Sequence, residues 1–552
     1  MGKRVLIVGG VAGGASCAAR LRRLDEQAEI YLFERGADIS FANCGLPYYL
    51  GGVIKQRQHL LVATPERFRD LFRVEVRTRR EAVAIDRDSQ LLRVCNVQTG
   101  EVTEHPYDAL VLAPGAAPIR PRWPGIELPG VFTLRSLDDA DRIAAWIDQK
   151  HPAKAVVVGG GYIGLEMAEN LQRRGLGVTV LEKLDQLMPP LDPEMVAPLT
   201  EELQRNGVDV RTGCEVVSLE PGPNDNIAVI THQTERLLAG LVILAIGVRP
   251  DTALAQQAGL AIGVTGGIVV DDHMRTSDPK IFAVGDAVEV RDFVTGAPSL
   301  IPLAGPANRQ GRIAADVICG RETRFRGTQG TSVVGVFDLT LACTGASEKA
   351  LRKAGIAYQK SYTHSNHHAG YYPGAEVISI KLLFSPTDGR VLGAQAVGRQ
   401  GVDKRIDVFA TAIQAGMTVF DLEEAELCYA PQYGSAKDPV NIAGMVAANA
   451  QRGDVALAHW DEWKSLAAAG KAPVTLDVRP PSAVAQAAVP GTVRIPLGEL
   501  RSRLGELPRD QEIWVHCGVG MTSYIANRIL RQNGFEKVRN LSGGITSYRR
   551  QP

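Results

Sequence analysis

Short apolar runs recur along the first half of the chain, each followed by a stretch whose apolar positions keep helical spacing. Residues 5–8 run into Gly9-Gly10 and then into such a stretch, and a second run at 30–33 closes on Glu34. The same succession returns at 155–158 with Gly159-Gly160-Gly161, a helical stretch over 162–172, and a run at 178–181 closing on Glu182. Strand-length runs alternating with helices predict βαβ units and parallel sheets. Each glycine loop is echoed by a later strand ending in Pro114-Gly115 or Ile246-Gly247, and a further strand and turn follows at 281–286. This order predicts an α/β fold with two Rossmann-like nucleotide-binding domains, the second inserted into the first: 1–120 with 247–326, and 121–246. Over 327–446 the glycine loops cease and strand-like runs at 377–384 and 391–397 predict an α+β domain. Residues 447–457 read as a polar, alanine-rich linker. Residues 458–552, with strand signals at 474–477 and 512–516, read as a separate α/β domain.

Composition narrows the function classes. The 552 residues carry 61 Lys+Arg against 61 Asp+Glu, which argues against nucleic acid or a membrane surface as a partner. The balance is uneven: residues 454–552 hold 13 basic and 9 acidic side chains, leaving +4 there and −4 over the rest. Apolar and charged shares of 45% and 22% suit a globular protein. The apolar run after Lys3-Arg4 is interrupted by glycines too early for a signal peptide, and no run reaches the ~18 residues of a membrane span. Eight cysteines without a C-x-x-C pair exclude a disulfide scaffold and a zinc ribbon. A cytoplasmic protein with reduced thiols and no metal is expected.

Gly159-x-Gly161-x-x-Gly164 follows a strand, opens a helix and precedes Glu182 by 18 residues. In that setting the glycines admit a pyrophosphate to the helix N-terminus, and the acidic residue meets the ribose hydroxyls. Ile163 and Gly247 complete this candidate NAD site, and Glu182 favours NADH over NADPH. The first loop, Gly9-Gly10-Val11-Ala12-Gly13-Gly14, has valine where the middle glycine is usual, yet Glu34 lies 20 residues beyond Gly14 and Gly285-Asp286 supplies a later turn. Two dinucleotides in one chain point to a flavin and a nicotinamide cofactor, hence electron transfer.

Cys44, in Ser40-Phe41-Ala42-Asn43-Cys44-Gly45-Leu46-Pro47-Tyr48-Tyr49, follows Glu34 closely, so the fold should return it near the flavin. A thiol at a helix start is expected to have a depressed pKa. This segment, the first glycine loop and Tyr429-Ala430-Pro431-Gln432-Tyr433-Gly434-Ser435-Ala436-Lys437-Asp438 together resemble the coenzyme A disulfide reductases over residues 1 to about 445. The resemblance implies FAD held by Gly9, Val11, Ala12, Gly13, Glu34, Arg35, Val83, Ala113, Gly285, Asp286 and Tyr429. It implies a single redox-active cysteine, Cys44, since positions 39 and 49 are Ile and Tyr rather than a second cysteine. It also implies coenzyme A contacts from Ser16, Arg20, Arg23, Ser40, Asn43, Asn308 and Lys437. Finally it implies a homodimer, in which Tyr371 and Tyr429 reach the partner subunit's active site; Tyr372 and Tyr433 are neighbours that could take those places.

Val515-His516-Cys517-Gly518-Val519-Gly520-Met521-Thr522-Ser523 resembles the active loop of rhodanese sulfurtransferases, where successive amides form an anion nest around a thiolate or persulfide. Thr522 replaces an arginine frequent there, which puts a doubly charged donor such as thiosulfate in doubt. With this segment the chain resembles the fused reductase–rhodanese proteins that include NADH-dependent persulfide reductases. The expected chemistry is reduction by NADH, through FAD, of persulfides, polysulfides or coenzyme A disulfide at Cys44, with Cys517 relaying sulfane sulfur. An oxidase or peroxidase cycling through a cysteine sulfenic acid is the nearest alternative, although related peroxidases carry histidine where Ala12 stands. A sulfur carrier without sustained NADH turnover is the other.

Overall fold

The computed structural model describes residues 2–551, and they fall into two compact units: 1–187 with 206–330, and 188–205 with 331–552. The first unit contains the repeat read from the sequence. One five-stranded parallel sheet runs in the order Ile281–Ala283, Ala109–Leu112, Arg4–Val8, Glu29–Glu34, Glu75–Thr78. The other runs Val131–Phe132, Leu241–Leu244, Lys154–Val158, Gly177–Leu181, Asp209–Arg211, also parallel. In both, the strand that precedes a glycine loop is central and is flanked by the strand ending on the acidic residue and by the one echoing the loop. Central parallel strands are covered on both faces and read as continuous apolar runs; Val5, Leu6, Ile7 and Val157 are fully buried.

Packing of helix Ala304–Ile318 on helix Gly13–Leu24 is close, because a side chain at Gly311 would strike the carbonyl oxygen of Gly13 at 2.2 Å. That approach sets Asn308 beside Ser16, whose side chains hydrogen-bond.

In the second unit an antiparallel sheet runs Ser332–Val336, Leu339–Gly345, Val391–Gly398, Val377–Phe384, Gln359–Asn366. A parallel sheet runs Ala456–Ala458, Val538–Leu541, Ile513–His516, Val474–Asp477, Val493–Arg494. Little of the expected linker is irregular: residues 447–451 finish helix Pro439–Gln451, and 456–458 already form a sheet edge. The alanines that gave the segment its linker-like composition are helix formers buried on one face, Ala447 and Ala448 among them.

The two sheets of this unit meet along strand Gln359–Asn366. Lys360 bonds Asp461 at 2.9 Å, the Tyr362 amide donates to Ser542 Oγ at 2.9 Å, and His364 Nε2 pairs with Ser547 Oγ at 2.9 Å. Beneath them Lys381, wholly buried, meets Asp192 at 2.8 Å and Glu194 and Glu348 at 2.5 Å each. The three carboxylates come close enough together to hold a cation, and the Lys381 ammonium fills that role. Burial opposes the Glu348 charge, but Lys381 and Lys360 overcome it and hold the carboxyl down at about 2.

Replacing Lys381 with alanine leaves three buried carboxylates facing one another, and breaking such a cluster costs about 3–5 kcal/mol. Urea denaturation at pH 7 should show that loss in the second unit. In the parent protein the contribution of Glu348 is present above the ordinary glutamate pKa of about 4.3 and disappears as pH falls towards about 2.

Candidate functional site

Both nucleotide loops are braced in the same way. The Gly10 amide donates to Glu34 Oε2 at 2.9 Å and the Gly36 amide to Oε1 at 2.8 Å. In the second loop the Gly160 amide donates to Glu182 Oε2 at 2.7 Å and the Leu184 amide to Oε1 at 2.8 Å. Gly9 and Gly159 have φ of +92° and +109°, and a Cβ there would lie 2.1 and 2.3 Å from the carbonyl oxygens of Ala113 and Ala245. The helices that follow, Gly13–Leu24 and Tyr162–Arg173, have no side-chain N-cap bond, so their first amides are left for an anion. A Cβ at Gly161 would meet no protein atom within 4 Å. The residues present therefore fit two dinucleotides, and at Gly161 the second loop leaves open space beside its helix start. Gly247, also at positive φ, and Ile163 at the start of the second helix flank the second loop.

Around the first loop, the Ala113 amide donates to Val8 and the Gly285 amide donates to Gln310 at 2.7 Å. Asp286 pairs with Arg135 at 3.0 Å, while the largely exposed Arg35 reaches Glu81 at 3.4 Å. Val83 is exposed on its strand.

Cys44 lies in the short turn Asn43–Gly45 ahead of helix Leu46–Leu50. It is reachable from solvent, but protein surrounds much of it. The expected depression of its pKa is not found: burial raises it, the Glu166 carboxylate raises it further, and Arg135 offsets only part. A turn and a five-residue helix give too few aligned peptides to compensate.

Beside this segment a cavity of about 420 Å³ brings together Val11, Ala12, Ser16, Arg20, Arg23, Ser40 and Asn308. Arg20 is held by Asp316 at 2.7 Å. The guanidinium groups of Arg23, Arg67 and Arg312 line the same cavity and have no acidic partner among the described residues, and Phe68, Leu71 and Phe72 form an apolar wall. Asn43 sits in the cysteine turn outside that lining.

In the second unit Tyr371 and Tyr429, both exposed, hydrogen-bond through their hydroxyls at 2.8 Å. Tyr372 turns its edge to His368, and Tyr433 projects into solvent. Lys437 is exposed just before Asp438, which caps helix Pro439–Gln451 and pairs with buried Arg405 at 2.7 Å.

Cys517 follows strand Ile513–His516 and is buried. Its Sγ accepts from the Gly520 amide at 3.1 Å and from Ser523 Oγ at 3.3 Å. Burial opposes the thiolate, but bonds from the Ser523 and Thr522 side chains and from the loop amides outweigh it and lower the pKa. The neighbouring His516 is kept neutral, its pKa pushed down to about 4 by burial.

Residues 3–311 match the family model for pyridine nucleotide-disulphide oxidoreductases, and residues 331–438 match that family's dimerisation domain. The chain belongs to the pyridine nucleotide-disulphide oxidoreductase family. Beyond the oxidoreductase domains, residues 460–551 match the rhodanese-like domain. Among related oxidoreductases, the coenzyme A disulfide reductase of Staphylococcus haemolyticus is 36% identical over 446 residues, which are 81% of this chain and 99% of that protein. The crystal structure of reduced Bacillus anthracis CoADR-RHD is 48% identical with a TM-score of 0.97, covering 100% of this chain and 98% of that one. An NAD-dependent persulfide reductase from A. fulgidus is 39% identical with a TM-score of 0.91, covering 99% and 100%. No helix among the described residues is long and apolar enough to cross a membrane.

Four residues of the oxidoreductase site escaped the sequence reading. Arg67 and Arg312 lie far apart in sequence and outside any motif, and only packing brings them to one cavity. Arg135 and Glu166, the charges bearing on Cys44, come from segments read as belonging to another domain.

Substituting Gly161 with alanine tests the second loop. Its φ of −84° suits alanine and no protein atom is near, so melting temperature and flavin content should stay as in the parent. The methyl would crowd the pyrophosphate, and the KM for NADH should rise by about tenfold or more, equivalent to ~1.4 kcal/mol.

Proposed function

We propose that this protein uses NADH to reduce sulfane sulfur in persulfides and polysulfides, and the disulfide of coenzyme A, at Cys44. The observation that carries the reading is one solvent-reachable thiol beside two dinucleotide loops, on a chain that also holds a second, thiolate-stabilised cysteine in a rhodanese-like loop. Bound FAD supplies two-electron transfer from NADH to sulfur. The Cys44 thiolate attacks the substrate S–S bond; a new S–S bond to Cys44 forms and a thiolate leaves. Two electrons then cleave the new bond, restoring Cys44 and releasing a thiol or hydrogen sulfide. Since the substrate brings the second sulfur, no second cysteine is needed.

Within this reading Gly9, Val11, Ala12, Gly13, Glu34, Arg35, Val83, Ala113, Gly285, Asp286 and Tyr429 hold FAD, and Gly159, Gly161, Ile163, Gly164, Glu182 and Gly247 hold NADH. Ser16, Arg20, Arg23, Ser40, Asn43, Asn308 and Lys437 hold coenzyme A, joined by Arg67 and Arg312. Three unpaired guanidiniums against an apolar wall suit a ligand with several phosphates and a base. The working form is a homodimer, with Tyr371 and Tyr429 serving the partner subunit's site as holders of the leaving thiol. The domain division 1–120 with 247–326, 121–246, 327–446 and 458–552 belongs to the same reading. The Cys517 thiolate attacks the outer sulfur of a persulfide or polysulfide, the donor's thiolate leaves, and the persulfide formed on Cys517 is passed on by attack of a second thiolate.

Anaerobic NADH consumption with coenzyme A disulfide, coenzyme A persulfide and polysulfide is the test. Cys44→Ser should abolish turnover on all three, and full activity in that variant refutes the mechanism. Cys517→Ser should lower turnover on polysulfide and leave coenzyme A disulfide reduction intact. Paired Arg67→Ala and Arg312→Ala should raise the KM for coenzyme A disulfide by about tenfold, the worth of one or two charge-assisted hydrogen bonds, without changing the KM for polysulfide.

A further inference from the structure

One hydroxyl proton in the rhodanese-like loop has two acceptors within reach. Ser523 Oγ lies 3.3 Å from Cys517 Sγ and 3.0 Å from the Gly520 carbonyl oxygen. A serine hydroxyl has a single proton to donate, so a bond made to the carbonyl is lost to the sulfur. The carbonyl oxygen in turn offers two lone pairs. The Tyr524 amide takes one at 3.1 Å, the first bond of helix Met521–Gln532. The side-chain amide of Asn540 comes to 3.5 Å of the same oxygen, and that is the only bond its side chain makes among the described residues. Asn540 stands on strand Val538–Leu541, in register with Val515 two residues ahead of Cys517. It is 5% exposed, so water does not take the place of a protein partner. Asn527, one turn beyond Ser523 on the helix, is wholly buried too but bonds no group of the loop. Charge plays little part here. Residues 517–527 carry no charged side chain. His516 is turned to Trp460 at 5.4 Å and to Asp477 at 3.7 Å, and Asp477 is itself paired with Arg479 at 2.6 Å. Cys517 packs on the other face of the strand with Val515.

We propose that Asn540 is a positioning residue of the rhodanese-like site: by occupying the second lone pair of the Gly520 carbonyl, it leaves the Ser523 proton to Cys517. This rests on Cys517 being the sulfur-carrying thiol. The proton stays on Ser523 throughout, and only its acceptor changes. Without Asn540 the hydroxyl turns to the carbonyl, and Cys517 keeps only the Gly520 amide at 3.1 Å and the remaining loop donors. The loss matters because burial opposes the Cys517 charge and the Ser523 hydroxyl is the foremost of the donors that overcome it. A less stabilised Cys517 is both less ionised at neutral pH and a poorer leaving group for the sulfur it carries.

The test is the pH dependence of Cys517 alkylation by iodoacetamide in the full-length holoenzyme without NADH, read by mass spectrometry of the Cys517 peptide. The midpoint of the profile, unlike the rate, does not depend on how easily the reagent enters the loop. Asn540→Leu, with flavin content and melting temperature as in the parent, should raise the midpoint by about 0.5–1 in pH, the worth of one hydrogen bond. Alkylation at a fixed pH below the midpoint should then be about 3- to 10-fold slower. Ser523→Ala should raise the midpoint at least as far. Adding Asn540→Leu to Ser523→Ala should raise it no further, since Asn540 acts through that hydroxyl. Asn540→Ala, too short to reach the carbonyl, gives the same reading if the Asn540→Leu protein does not fold. Asn527→Ala removes a buried amide that bonds nothing in the loop and should leave the midpoint in place. An unchanged midpoint in the Asn540 variants or in Ser523→Ala, a further rise in the double variant, or an equal rise in Asn527→Ala overturns the proposal. Because alkylation needs no turnover, its result is separate from the Cys517→Ser assay that decides the sulfur-relay reading.

Discussion

A carboxylate accepting two backbone amides fixes each nucleotide loop, and the oxidoreductase half is organised around those two clamps. Glu34 ends its strand and Glu182 directly follows strand Gly177–Leu181; they reach across to Gly10 and Gly160 and bind an amide two residues further along their own chain. The loops are thereby shaped before any ligand arrives, which lowers the entropy lost on binding. An ionised carboxylate offers about four acceptor positions, so each can brace its loop and still accept from a ribose hydroxyl. Glycine is required at the start of each loop because the returning strand's carbonyl leaves no room for a side chain. One physical solution used twice accounts for the repeat in the sequence and for the matching order of the four strands around each loop.

Charge organises the second unit differently. A wholly buried ammonium among three carboxylates holds residues 192, 194, 348 and 381 together, and Lys360 extends the cluster to Asp461. Tyr362 joins the same cluster through Glu194 and, through its amide, holds Ser542. Residues just beyond Ser542 support the rhodanese-like loop, because the Ile545 and Thr546 amides donate to the carbonyls of Cys517 and Gly518 at 2.9 and 3.1 Å. The position of Cys517 is therefore tied, through two short backbone segments, to the sheet that carries Lys381. The rhodanese-like part of the chain is anchored through polar groups of strand Gln359–Asn366, namely Lys360, the Tyr362 amide and His364.

What was legible in the sequence follows from how local each signal is. Strand-length apolar runs closing on glycine or on an acidic residue carry both the parallel sheets and the nucleotide loops, since periodicity and turn chemistry act within a dozen residues. Ser16 and Asn308 were legible only through family resemblance, and the close helix packing at Gly311 is what brings them together. Arg67, Arg312 and Glu166 were not legible, because nothing near them in sequence distinguishes a cavity-lining guanidinium or an uncompensated carboxyl from a solvated one. The alanine-rich segment at 447–457 misled because composition cannot separate a flexible linker from a small-residue helix face pressed into a core. Cys44 misled in the same way: proximity to a helix start suggested an easily ionised thiol, and burial, with a carboxyl remote in sequence, reverses that effect.

Cys44 and Cys517 are thus set in opposite electrostatic surroundings, and the contrast has a chemical direction. Cys517 is surrounded by donors that stabilise its thiolate, whereas burial and Glu166 destabilise the thiolate of Cys44. In thiol exchange the thiol of lower pKa departs faster, and the thiol of higher pKa is, once ionised, the stronger nucleophile. By that rule Cys517 is the better leaving group, and Cys44 is, once ionised, the stronger nucleophile.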